Sequence, residues 1–394
     1  MKHFDTLCAS EATIKSTTKP HKIPIVASST FEFESIEQGI EIFQNQPGEH
    51  VYSRYGNPTI EAVAQKIADL EVFGSDLTGF GLLCSSGMAA IHVVVQSLLQ
   101  HGDTIITQGN LYGGTTEQFN RVFSKHQIKT QIVDFDNPDS IITLIQNTGG
   151  NKIIYIETPA NPTLQCIDIQ VISKIAHQNN CLLIVDNTFA TPCLQQPLLL
   201  GADIVVHSTT KYLHGHGTST GGAIICKEDK LFKQMWETLK LVGSTSNPFD
   251  AWTINLGIKT LALRMNKQCE NAMNLALKLS QLNQINKIHY PGLESDSNHT
   301  IASKQMKAFG AMLSFEVGTK SEEAIRFANK LKLCKIAPSL GETDSMILHP
   351  ATMSHLRVPI DIRLKYGITD SLIRLSVGAE HVDDIYGDIE QALS

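Results

Sequence analysis

Short apolar segments alternate with longer helical segments between about residues 80 and 226. Each apolar segment is about four to six residues long and rich in β-branched residues, as is typical of strands buried on both faces of a sheet. Because helical patterns separate these strands, we predict an α/β fold with a mostly parallel sheet. The predicted strands are 104–107, 131–134, 153–157, 181–186, 203–206 and 222–226.

A helix with a clear start signal is predicted from residue 57 onward. Asn57 can cap the first turn, Pro58 suits the first helical position, and Glu61 favours the positive end of the helix. Apolar residues then recur at helical spacing, which predicts a buried face on this helix. They are Ile60, Val63, Ile67 and Leu70.

The chain before and after this α/β region has a different pattern. The first residues are polar with little periodicity, and we interpret them as an irregular arm. Apolar segments at 312–317 and 372–377, followed by a final helix capped by Asp383, predict a smaller α+β domain. The resulting division is an arm over 1–56, an α/β domain over 57–250 and a C-terminal domain over 251–394.

The composition is that of a folded protein without a nucleic-acid partner. Hydrophobic residues make up 42% and charged residues 18%, which excludes wholesale disorder. The net charge of -7 argues against a nucleic-acid surface, since such surfaces need a basic stripe. No run of about 18 apolar residues occurs, so we expect no membrane span.

The cysteines and the N-terminal residues favour a cytoplasmic location. The eight cysteines include no CxxC pair, so neither a cysteine-based zinc site nor a thioredoxin-type redox pair is predicted. Cys181 and Cys226 lie in apolar segments, which fits free thiols in a reducing compartment. The N-terminal residues lack an apolar stretch long enough for a signal peptide.

Polar side chains follow three consecutive predicted strands. In an open parallel sheet, ligands bind beyond the carboxyl ends of the strands, so these side chains should meet at one edge. Together they supply an amide, a carboxylate, hydroxyls and an amine. They are Asn161 in the stretch that begins at Glu157, then Asp186 and Thr188, then Ser208, Thr210 and Lys211.

Lys211 and Asp186 each have a functional and a structural interpretation. Lys211 is either a solvated surface lysine or an amine nucleophile whose pKa is lowered by desolvation. Asp186 ends the most hydrophobic predicted strand, where an unpaired carboxylate is costly. Its partner would be a helix N-terminus, an arginine, or the protonated ring nitrogen of a pyridine cofactor.

The segment 85–88 (Ser-Ser-Gly-Met) opens an apolar helix and is a candidate anion site. Free N–H groups at a helix N-terminus can hold a phosphate, and Gly87 lets the backbone approach it closely. Simple capping by serine is the alternative. Ser208 and Thr210 could add hydroxyl donors to the same phosphate.

Neither a nucleotide-binding motif nor a metal site is predicted. Gly79 and Gly81 lack the third glycine of a dinucleotide fingerprint, and no GxxxxGK[ST] loop occurs. His207, His214 and His216 share no recognisable ligand spacing with a carboxylate, so we predict no metal site.

Four stretches together resemble the Cys/Met-metabolism enzymes that use pyridoxal 5'-phosphate (PLP). That family includes cystathionine γ-synthase, cystathionine β- and γ-lyases, methionine γ-lyase and O-acyl-homoserine sulfhydrylases. The similarity runs nearly end to end through three further stretches. The four stretches are 52–58 (YSRYGNP), 85–88 (SSGM), 186–192 (DNTFATP) and 208–211 (STTK); the further three are 339–341 (SLG), 349–355 (HPATMSH) and 374–378 (RLSVG).

The resemblance implies an aspartate-aminotransferase-like fold (fold type I) and a role for each motif residue. Lys211 would form the Schiff base with PLP and carry protons, Asp186 would pair with the pyridinium nitrogen, and Tyr112 would stack on the ring and assist acid–base steps. The implied cofactor-binding set is Tyr52, Arg54, Ser86, Gly87, Met88, Tyr112, Asp186, Thr188, Ser208, Thr210 and Lys211. The implied substrate-binding set is Asn161, Ser339 and Arg374. Tyr52 and Arg54 would come from a neighbouring subunit, within a homotetramer of two catalytic dimers.

The sequence allows more than one interpretation of the reaction that the enzyme would catalyse. The stretches SLG and HPATMSH favour a carbon–sulfur lyase that performs α,γ-elimination on cystathionine, methionine or homocysteine. Gly114, Thr218 and Leu241 depart from the methionine γ-lyase pattern, where Cys, Asp and Asp are usual. The alternative is γ-replacement on an O-acetyl- or O-succinyl-homoserine, as in cystathionine γ-synthase or the sulfhydrylases. A non-catalytic α/β binding protein is the remaining class.

Overall fold

A seven-stranded, mostly parallel sheet forms the first part of the fold. The structure is a computed structural model and describes residues 3–14, 20–44 and 50–394. The strands are β1 (Phe80–Cys84), β2 (Thr104–Thr107), β3 (Lys129–Ile132), β4 (Lys152–Glu157), β5 (Leu182–Asp186), β6 (Ile204–His207) and β7 (Gly222–Cys226). Their order is β1-β7-β6-β5-β4-β2-β3; β7 is antiparallel to both neighbours, and the other neighbouring pairs are parallel. The predicted α/β sheet is confirmed.

Strand β1 was not among the predicted strands. It carries Gly81 and follows Gly79, the pair considered above only as an incomplete dinucleotide motif. A Cβ at Gly79 would lie 2.9 Å from the carbonyl oxygen of Ala68, and one at Gly81 would overlap that of Ala64. These glycines therefore let the helix that carries Ala64 and Ala68 pack closely on β1.

A second sheet lies in the C-terminal part of the chain. Its strands are β8 (Ile285–His289), β9 (Met312–Val317), β10 (Lys335–Ile336), β11 (Met346–Leu348) and β12 (Leu372–Ser376). Their order is β10-β11-β12-β9-β8, and the pairs are antiparallel except β10 with β11. The two strands predicted here, at 312–317 and 372–377, are confirmed as β9 and β12. The division of the chain at residues 56 and 250 stays a prediction.

Helices pack on both faces of the first sheet, and other helices pack against β9 of the second sheet. They are α1 (Phe4–Ala9), α2 (Ile36–Gln44), α3 (Pro58–Glu71), α4 (Gly87–Leu98), α5 (Gly113–Arg121), α6 (Pro138–Asn147), α7 (Ile169–Gln178), α8 (Thr191–Leu194), α9 (Asp229–Val242), α10 (Pro248–Ile258), α11 (Leu261–Leu279), α12 (His299–Gln305), α13 (Ser321–Lys330), α14 (Ile360–Lys365) and α15 (Val382–Leu393). Within the described ranges, none of these helices has the length and apolarity needed to span a bilayer.

The start of α3 is confirmed at Asn57. Its side chain accepts hydrogen bonds from the backbone N–H groups of Thr59 and Ile60, at 3.0 and 3.4 Å. The start of α4 is likewise capped by Ser86, which accepts from the N–H of Ala89 at 3.1 Å. Caps of this kind depend on neighbouring residues only, which is why the sequence predicts them well.

Two local predictions were wrong. The arm is not irregular throughout, because it forms α1 and α2; the ring of Phe4 in α1 packs 5.5 Å from that of Phe73, which supplies tertiary support. The last helix is capped by His381 rather than Asp383. The His381 side chain accepts from the N–H of Asp383, so Asp383 lies in the first turn, where its charge suits the helix dipole.

Candidate active site

Lys211 lies just after β6, with its amine in a largely enclosed position. Its Nζ donates a hydrogen bond to Ser339 Oγ at 3.2 Å. Burial lowers the pKa of this amine to about 8, the nearby positive charge of Arg374 adds to the shift, and Glu342 opposes it. Because an ordinary lysine titrates near 10.5, Lys211 carries a much larger neutral fraction at neutral pH than a surface lysine. The nucleophile interpretation is thus supported over the surface one.

Asp186 ends β5, and its carboxylate is fixed by three hydrogen bonds. Tyr155 Oη donates to Oδ2 at 3.1 Å, and the hydroxyl and backbone N–H of Thr188 donate to Oδ1 at 2.6 and 3.0 Å. Burial raises the pKa of this carboxyl, whereas the hydrogen bonds from Thr188 oppose the rise. Protein donors therefore orient the carboxylate, and a cationic partner would restore its ionised form.

The loops that carry Asp186 and Lys211 are directly linked. The backbone N–H of Ser208 donates to the hydroxyl of Thr188 at 2.9 Å, and the N–H of Lys211 donates to the carbonyl of Ser208 at 3.2 Å. Strands β5 and β6 are parallel neighbours with Asp186 opposite Val206. The amine and the carboxylate thus leave the sheet at the same edge, as predicted.

The N-terminus of α4 lies against the same edge. A Cβ at Gly87 would be 2.8 Å from the Cβ of Ser208, so only glycine allows the helix end to approach this closely. Ser86 uses its hydroxyl oxygen as the helix cap, and Met88 follows in the first turn. Thr210 Oγ1 accepts a hydrogen bond from the N–H of Gly221 at 3.0 Å, so the Thr210 hydroxyl also fixes the backbone just before β7.

Tyr112 precedes α5 and is 47% exposed. Its backbone N–H donates to Glu157 Oε2 at 2.8 Å. A Cβ at Gly114 would lie 2.6 Å from Cε1 of the Tyr112 ring, so a cysteine at 114 would conflict with this ring position. The departure at Gly114 noted in the sequence is therefore coupled to the orientation of Tyr112.

Arg374 joins the predicted substrate residues into one group. Its Nη1 donates to Asn161 Oδ1 at 3.0 Å, and its Nη2 donates to the carbonyl of Ser339 at 2.9 Å. Its buried Nε has no acceptor in the part of the chain that the structure describes. Burial lowers the pKa of Arg374 to about 10, which leaves it cationic at neutral pH. A buried guanidinium with a free donor suits a carboxylate ligand.

Tyr155 and Glu157 contribute to the site but were given no role from the sequence. Glu157 receives two backbone hydrogen bonds at 2.8 Å each, from Tyr112 at Oε2 and from Asn161 at Oε1. Burial raises its pKa to about 8, and the charge of Asp186 adds to the rise. Glu157 ends its strand as Asp186 does, so the same strand-end rule could have identified it. Tyr155 lies inside an apolar strand and gave no comparable signal.

Tyr52 and Arg54 lie apart from this group within the chain. Arg54 Nη1 donates to the carbonyl of Lys240 at 2.7 Å, and the guanidinium lies 4.9 Å from the ring centre of Tyr55. Arg54 and Tyr55 line a cavity of about 570 Å³ beside α3 and α9, whose described lining residues do not include Lys211. This cavity is therefore not the cleft where the Lys211 amine and the Asp186 carboxylate lie.

Comparison with known proteins places the chain in a family. Residues 5–394 match the family model described as Cys/Met metabolism PLP-dependent enzyme. The chain belongs to this family. It is 41% identical to an L-methionine γ-lyase of Fusobacterium nucleatum subsp. nucleatum, over 97% of this chain and 95% of that protein. It is 43% identical to a cystathionine β-lyase of Lactococcus lactis subsp. cremoris, over 96% of this chain and 95% of that protein.

A solved structure agrees with the assignment. The cystathionine γ-synthase of Xanthomonas oryzae pv. oryzae superposes with a TM-score of 0.92 at 35% identity, covering 100% of this chain and 98% of the other. The predictions of the PLP-dependent fold, of PLP as cofactor and of an enzyme of sulfur amino-acid metabolism are confirmed. The two named lyases both cleave carbon–sulfur bonds, which agrees with a carbon–sulfur lyase as the lead interpretation.

Proposed function

We propose that this enzyme cleaves a carbon–sulfur bond of an amino acid by α,γ-elimination. One observation carries the proposal: Lys211 Nζ and Arg374 Nη2 both bond to Ser339, at 3.2 and 2.9 Å. In an α-amino acid the carboxylate and the carbon that loses a proton are adjacent atoms. A guanidinium and an amine of lowered pKa that share one residue match those two atoms.

The residues present fit PLP at this edge. Asp186 would keep the ring nitrogen protonated, and Tyr112 would cover the ring. Gly87 brings the N-terminus of α4 close to Ser208, so the free N–H groups of this helix end and the Ser208 hydroxyl could hold one phosphate. The other contacts that we assign to the cofactor are Ser86, Met88, Thr188 and Thr210. When bound, PLP withdraws electrons from the substrate carbon next to its amine.

The side chains of the protein then divide the remaining work. Arg374 and Asn161 hold the substrate carboxylate, which orients the α-carbon toward Lys211. In its neutral form, Lys211 removes the α-proton and, once it has passed that proton on, removes a proton from the β-carbon. The bond between the γ-carbon and sulfur can then break, and its electron pair leaves with the sulfur. We assign to Tyr112, which is about half exposed, the donation of a proton to the departing thiolate, which then leaves as a thiol.

Product analysis tests the reaction. Incubation with cystathionine, methionine and homocysteine should release 2-oxobutyrate and ammonia from at least one of them, together with a thiol or, from homocysteine, hydrogen sulfide. The Lys211→Ala variant is the control for non-enzymatic breakdown. Release of pyruvate from cystathionine instead would indicate cleavage at the β-carbon.

A γ-replacement enzyme is the second candidate. Gly114 and Thr218 depart from the methionine γ-lyase pattern, and the chain is similar over its full length to a γ-synthase. Formation of homocysteine from O-acetylhomoserine and sulfide, with no cleavage of any sulfur amino acid, would contradict the lyase proposal and support this one.

We further propose that Tyr52 and Arg54 complete the cofactor site of a neighbouring subunit. Tyr52 is 41% exposed, and Arg54 contacts Lys240 of its own chain rather than the Lys211 group. Leu241, at 76% exposure, and Phe249 leave apolar surface nearby that a subunit contact would cover. This assembly would be a catalytic dimer, and a pair of dimers would form the homotetramer.

Mixed subunits give a direct prediction. Arg54→Ala and Lys211→Ala should each be strongly impaired alone. When equal amounts are dissociated and reassociated, half of the dimers should be hybrids with one intact site each, so activity should recover to about one quarter of wild type. Activity of the mixture before and after reassociation is the measurement. Recovery no greater than the sum of the separate variants would place Arg54 in its own subunit's site or outside any site.

We also propose a cytoplasmic location. All eight cysteines lie in described residues and are free and buried, which fits a reducing compartment.

A further inference from the structure

Glu71 is a buried carboxylate that the proposed mechanism does not use. It is the last residue of α3 and is fully buried. Its Oε1 accepts hydrogen bonds from Asn187 Nδ2 at 3.0 Å and from His207 Nε2 at 2.6 Å. A carboxylate in such a position is costly to bury, so its partners indicate what it supports.

The two partners of Glu71 stand next to cofactor-site residues. Asn187 directly follows Asp186, and His207 directly precedes Ser208. The backbone N–H of Asn187 also donates to the carbonyl of Val206 at 3.0 Å. One carboxylate oxygen therefore holds the ends of β5 and β6 together at the point where both strands deliver site residues.

Glu71 acts from the opposite face of the sheet. Val205 packs in the hydrophobic cluster that contains the α3 residues, whereas Val206 packs in the cluster that contains the α4 residues. Because side chains alternate along a strand, His207 shares the α3 face with Val205, and Asp186, opposite Val206, faces α4. Glu71 thus cannot touch a ligand at the α4 face and can affect it only through the strand ends.

The network continues toward the substrate residues. Gln195 Nε2 donates to Asn187 Oδ1 at 3.0 Å and to the carbonyl of Thr158 at 2.8 Å. Thr158 lies in the loop after β4 that leads to Asn161. In the described part of the chain, Glu71 Oε2 and His207 Nδ1 have no hydrogen-bond partner. A buried polar network that contains groups without hydrogen-bond partners stabilises a core less than apolar packing does. Its presence here therefore favours a specific role in positioning the strand ends.

We propose that Glu71 is a positioning residue of the cofactor site: through Asn187 and His207 it sets the spacing between Asp186 and Ser208, and so between the ring-nitrogen and phosphate contacts of PLP. This inference rests on the roles proposed above for Asp186 and Ser208.

Two substitutions of Glu71 test the inference. Glu71→Met removes the acceptor at similar side-chain length and should weaken PLP binding at least about tenfold, with a changed visible absorption band of the bound cofactor. Glu71→Gln keeps an acceptor oxygen for Asn187 and His207 and should stay within about threefold of wild type. PLP affinity by titration and the spectrum of the purified holoenzyme are the measurements.

Asp388 provides a matched control for loss of a buried carboxylate. It lies in α15 and accepts from the backbone N–H groups of Lys332, Leu333 and Cys334 at 2.8, 2.9 and 2.9 Å. Asp388→Leu should lower the melting temperature and leave PLP affinity unchanged. If Glu71→Met behaves like Asp388→Leu, Glu71 only stabilises the fold and the inference is overturned.

If Glu71→Met does not fold, Asn187→Ala decides the matter, because it removes the link from Glu71 to the end of β5, together with the hydrogen bonds to Gln195, and leaves Glu71 bonded to His207. Weakened PLP binding in this variant supports the inference, and unchanged binding overturns it. Asp186→Asn separates this inference from the proposed function. If Asp186→Asn impairs the enzyme while the Glu71 and Asn187 variants bind PLP normally, only the positioning role fails; if Asp186→Asn is also without effect, the proposed roles fail first.

Discussion

Lys211→Ala is expected to retain PLP but to lose at least about 10³-fold in turnover, since the change removes both the nucleophile and the proton carrier. The contacts at the α4 N-terminus and at Asp186 do not involve the Lys211 amine, so the cofactor should remain bound without a covalent link. The rate of 2-oxobutyrate formation and the PLP content after gel filtration are the measurements. A small primary amine added to the variant should restore part of the rate.

Lys66→Met is the matched control for Lys211→Ala. Lys66 is also buried, and burial lowers the pKa of its amine to about 8. Its Nζ donates to the carbonyl of Ser10 at 2.7 Å and to Asn255 Oδ1 at 3.1 Å, and neither partner is among the residues assigned to the cofactor or the substrate. This substitution should lower stability and leave turnover near wild type. Near-normal turnover of Lys211→Ala would refute the assignment of the amine.

Asp186→Asn is expected to lower turnover by about 10²-fold or more, as removal of one charge from a buried ion pair costs roughly 3–5 kcal/mol. Asparagine keeps the shape of the side chain, and its oxygen can still accept from Thr188. What the variant loses is the negative charge that keeps a ring nitrogen protonated. Steady-state turnover at saturating substrate and PLP is the measurement, and KM should change less than kcat because Arg374 is untouched.

Asp203→Asn serves as the comparison for this change. Asp203 lies just before β6, at the opposite end of the sheet, and accepts from the N–H of Leu183 at 2.8 Å and from His177 at 3.0 Å. Its loss should reduce the free energy of unfolding without a specific effect on turnover. Equal turnover of the Asp186→Asn and Asp203→Asn variants would mean that the charge of Asp186 has no part in the reaction.

Much of the sheet and its site edge followed from local patterns. The predicted strands of the first sheet agree with β2 to β7 within two residues at each end. The cap at Asn57 was predicted, and capping by a serine before α4 was considered as the alternative to an anion site, because a cap is made by neighbouring residues. Strand β1 was not predicted because glycines are unfavourable in strands. Gly79 and Gly81 make sense only in the folded protein, where they let α3 pack closely on β1. The N-cap of the last helix was misassigned by two residues, since an aspartate such as Asp383 suits the first turn of a helix as well as its cap.

The buried partners of the site were beyond local patterns. Tyr155 and Glu71 are far from Asp186 and Asn187 in sequence, and each lies among apolar residues typical of an ordinary core. No spacing rule links such residues, because their distances depend on how helix and sheet pack. The hydrogen bond from Arg374 to Asn161 likewise joins a strand of the second sheet to the loop after β4 of the first.

By itself the sequence determined which chemical groups lie at the carboxyl ends of the buried strands. Residue type and position after an apolar strand are local properties, so they can be identified from the sequence. The amine of Lys211, the carboxylate of Asp186 and the family motifs were all available at that level. Only the tertiary structure decided that a guanidinium from the second sheet reaches Ser339 beside that amine, and that Tyr155, Glu157 and Glu71 hold the strand ends. Packing between distant segments sets these distances and lowers the pKa of Lys211, and no pattern along the chain encodes them separately.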